Sequence, residues 1–233
     1  KSVGEFIFGF SFLFMGLQAL KANAPDLGAN PEMLAFVQNY TDMGFLSIIL
    51  FLFIGAILTM IVQASAATMA ITLIMCANGW IDYHLGVALV LGENIGTTIT
   101  ANLAALTGNT QSRRAALAHL VFNIFGVMWV LVLFYPFTAA VSWFVTDVMN
   151  ISDPAVAVSF KLAAFHTAFN ISNTFIMIWF VGLIEKTVCF LIKGKKDEDE
   201  EYRLRYITGG MLSTAELSIL HAHKEITLFA ERT

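Results

Sequence analysis

Charged side chains are scarce in this sequence of 233 residues. Lysine, arginine, aspartate and glutamate make up 13% of it, whereas an average soluble domain carries about 25%. Fourteen of the thirty charged residues follow Gly194, so the long part before that glycine holds only sixteen. This scarcity argues against a soluble domain for most of the chain and predicts a multi-pass membrane protein with a polar tail.

Cysteine, basic patches and catalytic motifs are also scarce. Cys76 and Cys189 both lie in apolar runs, so we expect small hydrophobic residues rather than a disulfide or a metal site. Without a basic patch interleaved with aromatics, nucleic-acid binding is not expected. HExxH, GxSxG and Cys/His metal spacings are absent, so we expect no enzyme and no cofactor. The competing hypothesis is a membrane enzyme that uses His119 or His166 with Glu93 on a lipid or a phosphoester.

Long apolar runs predict an all-α, polytopic membrane protein. The run over residues 66–77 is too short to cross a bilayer alone. The last hydrophobic stretch is too long for one crossing, and we expect an interfacial helix around Lys161 followed by a span that ends near Ile192. The other predicted spans are Gly4–Leu20, Met43–Val62, Val87–Leu106 and Ala115–Phe137.

Basic residues predict the orientation and the domain boundaries. Arg113 and Arg114 precede one span and Lys193 follows the last, so both ends should face the cytoplasm of a plasma (inner) membrane protein. The acidic loop at residues 21–42 should lie outside. We expect a membrane domain over residues 1–192, a charged cytoplasmic linker over 193–212, and the start of a cytoplasmic helical domain over 213–233, where STAE is a capping box.

A first polar interruption, QASAAT, follows the apolar run that ends at Val62. Unpaired backbone groups in hydrocarbon cost several kcal/mol each, so broken helices persist there only beside protein or a water-filled cavity. We expect one helix to stop at Gln63 and another to start near Ser65, which aligns Ser65, Thr68 and Thr72 on one face. Such a break is typical of ion sites in transporters.

A second interruption, GENIGTTIT, begins at Gly92. Its glycines permit a tight break, and Asn94 is a good N-cap for a helix that runs to Leu106. Thr97 and Thr98 would then line one side, where hydroxyl and amide oxygens suit a hard cation and free N–H groups suit an oxyanion. The alternative is that the small residues of both stretches only let helices pack closely.

Glu93 is the one ionisable residue of these two stretches. An ionisable group at membrane depth indicates a functional site. It would accompany a cation, carry a proton or face a water-filled vestibule. If the break lies near the membrane interface, Glu93 is simply solvated.

The pattern H-x-x-F-N-I occurs twice, at His119–Ile124 and at His166–Ile171. In each copy the histidine and the asparagine share one helix face. We expect two similar helix-packing seams, because polar side chains often bond across membrane helices. A role in the site is left open for Asn123 and Asn170.

The ordered motifs VQASAATMAI, LGENIGTTITANLAAL and RRAALAHLVFNIFG resemble the type II sodium-phosphate cotransporter family, including its bacterial members. That family has two inverted repeats, each with a QSSS-type stretch, and in many members a G-[AS]-N-I-G-T-T stretch. The likeness spans Lys1–Ile192 and looks like the second repeat with the closing helices. The tail resembles the start of a PhoU-like helical domain.

The resemblance implies a symporter that takes up inorganic phosphate with sodium by alternating access. Its implied substrate and ion-binding residues are Gln63, Ser65, Thr68, Glu93, Asn94, Thr97 and Thr98. Sodium would be held through Gln63, Ser65, Thr97 and Thr98, as the coupling ion. Two departures bear on this: Ala64 and Ala66 replace serines of the QSSS stretch, and Glu93 stands where Ala or Ser is commoner.

A site between inverted repeats needs both halves, so we expect the chain to act only with the missing first repeat and in a lipid bilayer. A homodimer is another way to supply a second half, although the charge bias does not favour the antiparallel arrangement it needs. Two further alternatives are a transporter of another oxyanion and a non-transporting sensor or scaffold.

Overall fold

The computed structural model of the chain describes residues 2–22, 40–194 and 215–232. It divides into two units, Lys1–Leu191 and Ile192–Thr233. In the described residues every regular element is helical. The helices are α1 (Ser2–Ala22), α2 (Phe45–Val62), α3 (Ser65–Ala77), α4 (Tyr83–Ala105), α5 (Thr110–Val132), α6 (Phe134–Trp143), α7 (Pro154–Met177), α8 (Val181–Leu191) and α9 (Ala215–Arg232).

Among the residues that the structure describes, three stretches are long and apolar enough to cross a membrane: Phe45–Val62, Thr110–Val132 and Val156–Leu191. The 18 residues of α2 extend over roughly 27 Å, close to the thickness of a bilayer core. The surfaces of these helices that face away from the rest of the protein are apolar, as at Ile61 of α2 and Val132 of α5. The all-α membrane fold expected from the sequence is therefore confirmed.

The predicted break after α2 is present. Gln63 adopts the left-handed conformation, with φ 56° and ψ 22°, which is unusual for a residue with a Cβ. Its backbone N–H still donates to the Thr59 carbonyl at 2.8 Å. The chain then turns through extended Ala64 into the 13-residue helix α3, so the expectation of two helices separated at Gln63 is confirmed.

The second predicted break is wrong, because α4 is continuous from Tyr83 to Ala105. The side chain of Asp82 caps its start by accepting from the Leu85 N–H at 2.8 Å. Asn94 is not an N-cap: it lies inside the helix and donates to the Val90 carbonyl at 2.8 Å. Gly92 and Gly96 instead lie against the backbone of α2, as the packing alternative expected.

The later helices depart from the predicted bounds in two places. The span expected to reach Phe137 ends at Val132, and α6 starts at Phe134. The interfacial helix expected around Lys161 is not separate, because Lys161 lies within the continuous helix α7. A single 3₁₀ turn, Ile178–Phe180, divides α7 from α8. Lys161 reaches over the ring of Tyr83, with Nζ 5.9 Å from the ring centroid.

The core lies around α4, whose residues 85–93 are all buried. Helix α7 packs against it through Leu162, and stacks Phe165 and Phe169 toward α5 and α6. Both phenylalanines are fully buried. The buried face of α4 therefore packs against apolar side chains, except along the polar stretch Gly92–Thr100 in its C-terminal half.

The second unit contains the amphipathic helix α9, which agrees with the helix expected in the tail. The capping serine Ser213, most of the linker predicted at 193–212 and most of the acidic loop predicted at 21–42 lie outside the described residues. The three-part domain division stays a prediction.

Candidate functional site

The break between α2 and α3 exposes polar groups. The side chains of Gln63 and Ser65 are both exposed. Helix α3 starts at Ser65, and the preceding Ala64 provides no side-chain cap. The Ala67 N–H donates to the Ala64 carbonyl at 3.1 Å, whereas the N–H groups of Ser65 and Ala66 have no intrahelical acceptor. Those N–H groups and the positive end of the helix dipole favour an anion at this point.

Helices α2 and α4 run parallel and touch through their backbones. A Cβ at Gly92 would overlap the Leu52 carbonyl, and one at Gly96 would lie 2.5 Å from the Ala56 oxygen and 2.8 Å from the Cβ of Thr59. One turn beyond Thr59 is Gln63, and one turn beyond Gly96 is Thr100. The register therefore places the break alongside the threonine-rich end of α4.

Helices α3 and α4 form an antiparallel pair. A Cβ at Gly86 would lie 2.5 Å from the Sγ of Cys76. Counting back along α3 and forward along α4 from this contact brings Ser65 level with Thr97, and Thr68 level with Asn94. The fold therefore brings the two polar stretches of the sequence to the same side of one helix pair.

Every hydrogen bond described for these threonine and asparagine side chains donates to a helix carbonyl. Thr97 Oγ1 donates to the Glu93 carbonyl at 2.9 Å, and Thr98 Oγ1 to the Ile95 carbonyl at 2.7 Å. Asn102 Nδ2 donates to both the Thr98 and the Ala116 carbonyls at 2.8 Å. Since these hydroxyls have used their only proton, they present lone pairs to their surroundings and suit a cation.

Glu93 is buried, with 3% of its surface exposed. The alternative in which Glu93 is simply solvated near the membrane interface therefore does not agree with the structure. Its Oε2 has no hydrogen-bond partner among the described residues. A buried charge without a partner is costly, so this carboxyl is either neutral or next to a cation.

The two H-x-x-F-N-I copies have the same local geometry. Asn123 Nδ2 donates to the His119 carbonyl at 3.1 Å, and Asn170 Nδ2 donates to the His166 carbonyl at 2.9 Å. His119 faces a cleft of about 680 Å³ between α5 and α8. In the described part of the chain, no group of three His, Cys, Asp or Glu side chains could hold a metal ion.

The sequence reasoning missed Asn173, the polar residue that joins α5 and α7. It is fully buried, donates to the Phe122 carbonyl at 3.1 Å, and accepts from Trp129 Nε1 at 3.2 Å. A signal was present, because Asn173 continues the helical spacing of Phe165 and Phe169. The sequence reasoning also missed Thr59, which is buried; it placed Thr72, likewise buried, on one face with Ser65 and Thr68 without including it among the site residues.

Comparison with known proteins gives one family match, to the Na⁺/Pi-cotransporter family over residues 28–212. YqeW of Bacillus subtilis (strain 168), which its name describes as uncharacterized, is 35% identical over 62% of this chain and 44% of its own length. No solved structure matches the chain.

Two further relatives carry names that mention phosphate. YjbB of Escherichia coli (strain K12), named as a candidate inorganic phosphate export protein, is 25% identical over 96% of this chain and 38% of its own length. Sodium-dependent phosphate transport protein 2B of Rattus norvegicus is 41% identical over 40% of this chain and 13% of its own length. The chain thus spans less than half of each of these relatives.

Proposed function

Because this chain belongs to the Na⁺/Pi-cotransporter family, we propose that the protein containing it takes up inorganic phosphate together with sodium by alternating access. The observation that carries the proposal is the broken helix at Gln63, set beside the threonine-rich end of α4. Such a break supplies donors for an anion and acceptors for a cation within one small region.

The phosphate would bind at the break. Its oxygens need donors, and the exposed Gln63 amide, the Ser65 hydroxyl and the first N–H groups of α3 are the donors available there. The positive end of the α3 dipole adds to the attraction. Thr68 and Asn94 lie level with each other in the α3–α4 register, close to this end of the pair.

Sodium would bind to oxygens. The proposed ligands are Gln63 and Ser65 from the break with Thr97 and Thr98 from α4, whose hydroxyl protons already point to helix carbonyls. Hard cations prefer such oxygen ligands. The bound sodium would also reduce the charge repulsion between phosphate and Glu93.

The site would be completed by a second half outside this chain. The break is exposed on the side where Gln63 and Ser65 project, and a transport site between repeats is closed from both sides. The first repeat would supply the facing surface. The basic ends of α5 and α8, near Arg113 and Lys193, would face the cytoplasm.

The direction of transport needs its own measurement. Coupling to an inward sodium gradient favours uptake, whereas the name of the Escherichia coli relative mentions export. The test is to reconstitute the full-length protein in proteoliposomes and follow labelled phosphate with sodium outside, with sodium inside, and with potassium in place of sodium.

Uptake that depends on external sodium and is competed by arsenate, an oxyanion of similar shape, supports the proposal. Phosphate flux that is equal in sodium and potassium would contradict the coupling. Competition by sulfate but not by arsenate would contradict the substrate and favour another oxyanion. Absence of flux in a folded, phosphate-binding protein would favour the sensor or scaffold.

A further inference from the structure

A cleft of about 680 Å³ lies between α5 and α8. Both helices belong to stretches that are long and apolar enough to cross a membrane, so the cleft lies within the thickness of the bilayer. Its described lining residues all come from these two helices, which separates it from the break at Gln63. Its volume falls within the roughly 300–1,000 Å³ that is usual for small-molecule sites.

Helices α7 and α8 run antiparallel to α5. Phe169 of α7 stacks against Trp129 of α5, with the ring centroids 6.4 Å apart. Further along the chain, in the turn before α8, Phe180 lies beside Phe125 with the centroids 6.3 Å apart. A later residue of one segment thus meets an earlier residue of the other. The C-terminal end of α8 therefore lies beside the N-terminal end of α5.

The charged residues of the cleft lie toward these two helix ends. Arg114 of α5 is half-buried, Glu185 of α8 is exposed, and both line the cleft. Each lies within roughly 10 Å of the end of its helix, at 1.5 Å per residue. Gln111 and His119 add hydrogen-bonding side chains on the α5 side. Since both helices span the membrane, this end of the cleft is at the headgroup level.

The deeper part of the cleft is apolar. Phe122 of α5 lines it roughly 12 Å beyond Arg114 along the helix, and Val181 of α8 lines it at the same end. Between the charged end and this end lie the small side chain of Ala118 and the apolar side chain of Ile184. A cleft with charges at the headgroup level and apolar walls below has the polarity of a phospholipid.

The two charges of the cleft have opposite signs, and this selects among headgroups. The guanidinium of Arg114 matches a phosphate, which it can bind through two parallel N–H groups. The carboxylate of Glu185 makes no ion pair among the described residues, and it would repel a headgroup that is only negative. A headgroup with a phosphate and an ammonium group complements both side chains.

We propose that the cleft between α5 and α8 binds one phospholipid whose headgroup carries a phosphate and a primary ammonium group, as in phosphatidylethanolamine. Arg114, with Gln111 and His119 beside it, donates to the phosphate oxygens. Glu185 accepts hydrogen bonds from the ammonium group, and an acyl chain lies along the apolar end at Phe122. The bound lipid joins α8 to α5, at a place separate from the proposed phosphate and sodium site.

The test is lipid binding to the purified, delipidated full-length protein, measured by native mass spectrometry. The three lipids have identical acyl chains. Phosphatidylethanolamine has both charges, phosphatidylcholine has both charges but no N–H donor, and phosphatidylglycerol has the phosphate without a cation. The variants are Arg114→Gln and Glu185→Gln. Their matched controls are Arg113→Gln, an exposed arginine outside the lining, and Glu5→Gln, an exposed carboxyl on α1.

We expect the unsubstituted protein to bind phosphatidylethanolamine about tenfold or more tightly than the other two lipids, because hydrogen bonds between charged groups are the strong ones. Arg114→Gln should weaken binding of all three lipids, and Glu185→Gln should remove the preference. Glu185→Lys should prefer phosphatidylglycerol, because both charges of the cleft are then positive. The two controls should match the unsubstituted protein.

Equal binding of the three lipids, or an undiminished preference in a folded Glu185→Gln variant, would overturn the proposal. A preference of the unsubstituted protein for phosphatidylglycerol would overturn the headgroup assignment. No lipid binding at all would mean that another part of the full-length protein covers the cleft, and would also overturn it.

A competition experiment distinguishes a lipid from a soluble phosphoester. Glycerophosphoethanolamine has the same headgroup without acyl chains, and we expect it not to displace the lipid at equal concentration. Displacement would overturn the lipid and assign the cleft to a soluble ligand. Ala118→Leu, which narrows the apolar part of the cleft, should weaken binding of all three lipids and leave their order unchanged.

Discussion

Gly92 of α4 lies so close to Leu52 of α2 that a side chain at Gly92 would overlap the Leu52 carbonyl oxygen. Gly96 repeats the relationship with the Ala56 carbonyl one turn later. Glycines four residues apart are a known means of close helix contact in membranes. These two glycines therefore set the distance between α2 and α4.

Alanine at Gly92 should destabilise the protein. The added Cβ must push the two backbones apart, which costs about 1–3 kcal/mol in a packed core and should lower the Tm by about 2 °C or more. The measurement is thermal unfolding of the full-length protein in detergent, monitored by size-exclusion chromatography.

Gly182→Ala is the matched control, because nothing lies within 4 Å of a Cβ at Gly182 on α8. It should leave the Tm unchanged or raise it, since alanine is favoured over glycine within a helix by about 0.5–1 kcal/mol. Equal Tm values for the two alanine variants would contradict the close contact between α2 and α4.

Alanine at Asn173 should weaken the contact between α5 and α7. It removes the partners of the Trp129 indole and the Phe122 carbonyl, and a buried group left unsatisfied costs about 1–3 kcal/mol. Asn170→Ala is the control, because Asn170 bonds only within its own helix. The measurement is again the Tm in detergent.

A double-mutant cycle separates the Trp129 hydrogen bond from general packing. Combining Asn173→Ala with Trp129→Phe should give a coupling energy of about 0.6 kcal/mol, the usual size for side-chain hydrogen bonds between membrane helices. A coupling energy of zero would mean that the two side chains do not act together.

Replacing Gln63 with glycine should keep the left-handed backbone conformation of the break and remove the amide that is proposed to bind phosphate. Glycine adopts the left-handed conformation without steric cost, so Gln63→Gly should keep or raise the Tm. Loss of the amide should nevertheless raise the KM for phosphate about tenfold or more, because a hydrogen bond to a charged group is worth about 1.5–3 kcal/mol.

Asn150→Gly is the control for this substitution. Asn150 also has a positive φ, 57°, but it lies in the turn before α7 and outside the candidate site. It should change the Tm in the same direction and leave the KM unchanged. An unchanged KM for Gln63→Gly would remove the amide from the phosphate site.

Cysteine labelling should report the orientation. In a protein lacking Cys76 and Cys189, a membrane-impermeant maleimide added to intact cells should label Ser152→Cys, between α6 and α7. It should label Thr107→Cys, between α4 and α5, only after permeabilisation. The physical reason is the basic pair at Arg113 and Arg114, which favours the cytoplasmic side. The reverse labelling pattern would invert the topology.

The break at Gln63 was predictable because it is a local event. A polar residue after a largely apolar run of 18 residues must leave the hydrocarbon-facing helix or find a partner, and the residues that follow it are small. Length and hydropathy alone likewise predicted α2 and most of α5.

The prediction of a break at Gly92–Gly96 was wrong because the sequence there fits two structures, a broken helix and a continuous one. Two glycines one turn apart allow a helix to bend, and they equally allow a neighbouring helix to approach. Only the position of Leu52 and Ala56 decides between them, and that position is a tertiary fact.

The site residues stay a prediction, and the sequence did not indicate how the helices that carry them are arranged. Spacing identified Ser65, Thr68 and Thr97 as polar groups in apolar surroundings. It did not reveal that α3 folds back against α4, because that arrangement depends on the contact of Cys76 with Gly86.

The contacts at Gly92 and Gly96 bring the backbones of α2 and α4 together, so we expect these two helices to move as one rigid unit. Gln63, in the left-handed conformation, connects this rigid pair of helices to the short helix α3. Because Gln63 holds the left-handed conformation, one residue sets the direction in which α3 leaves α2.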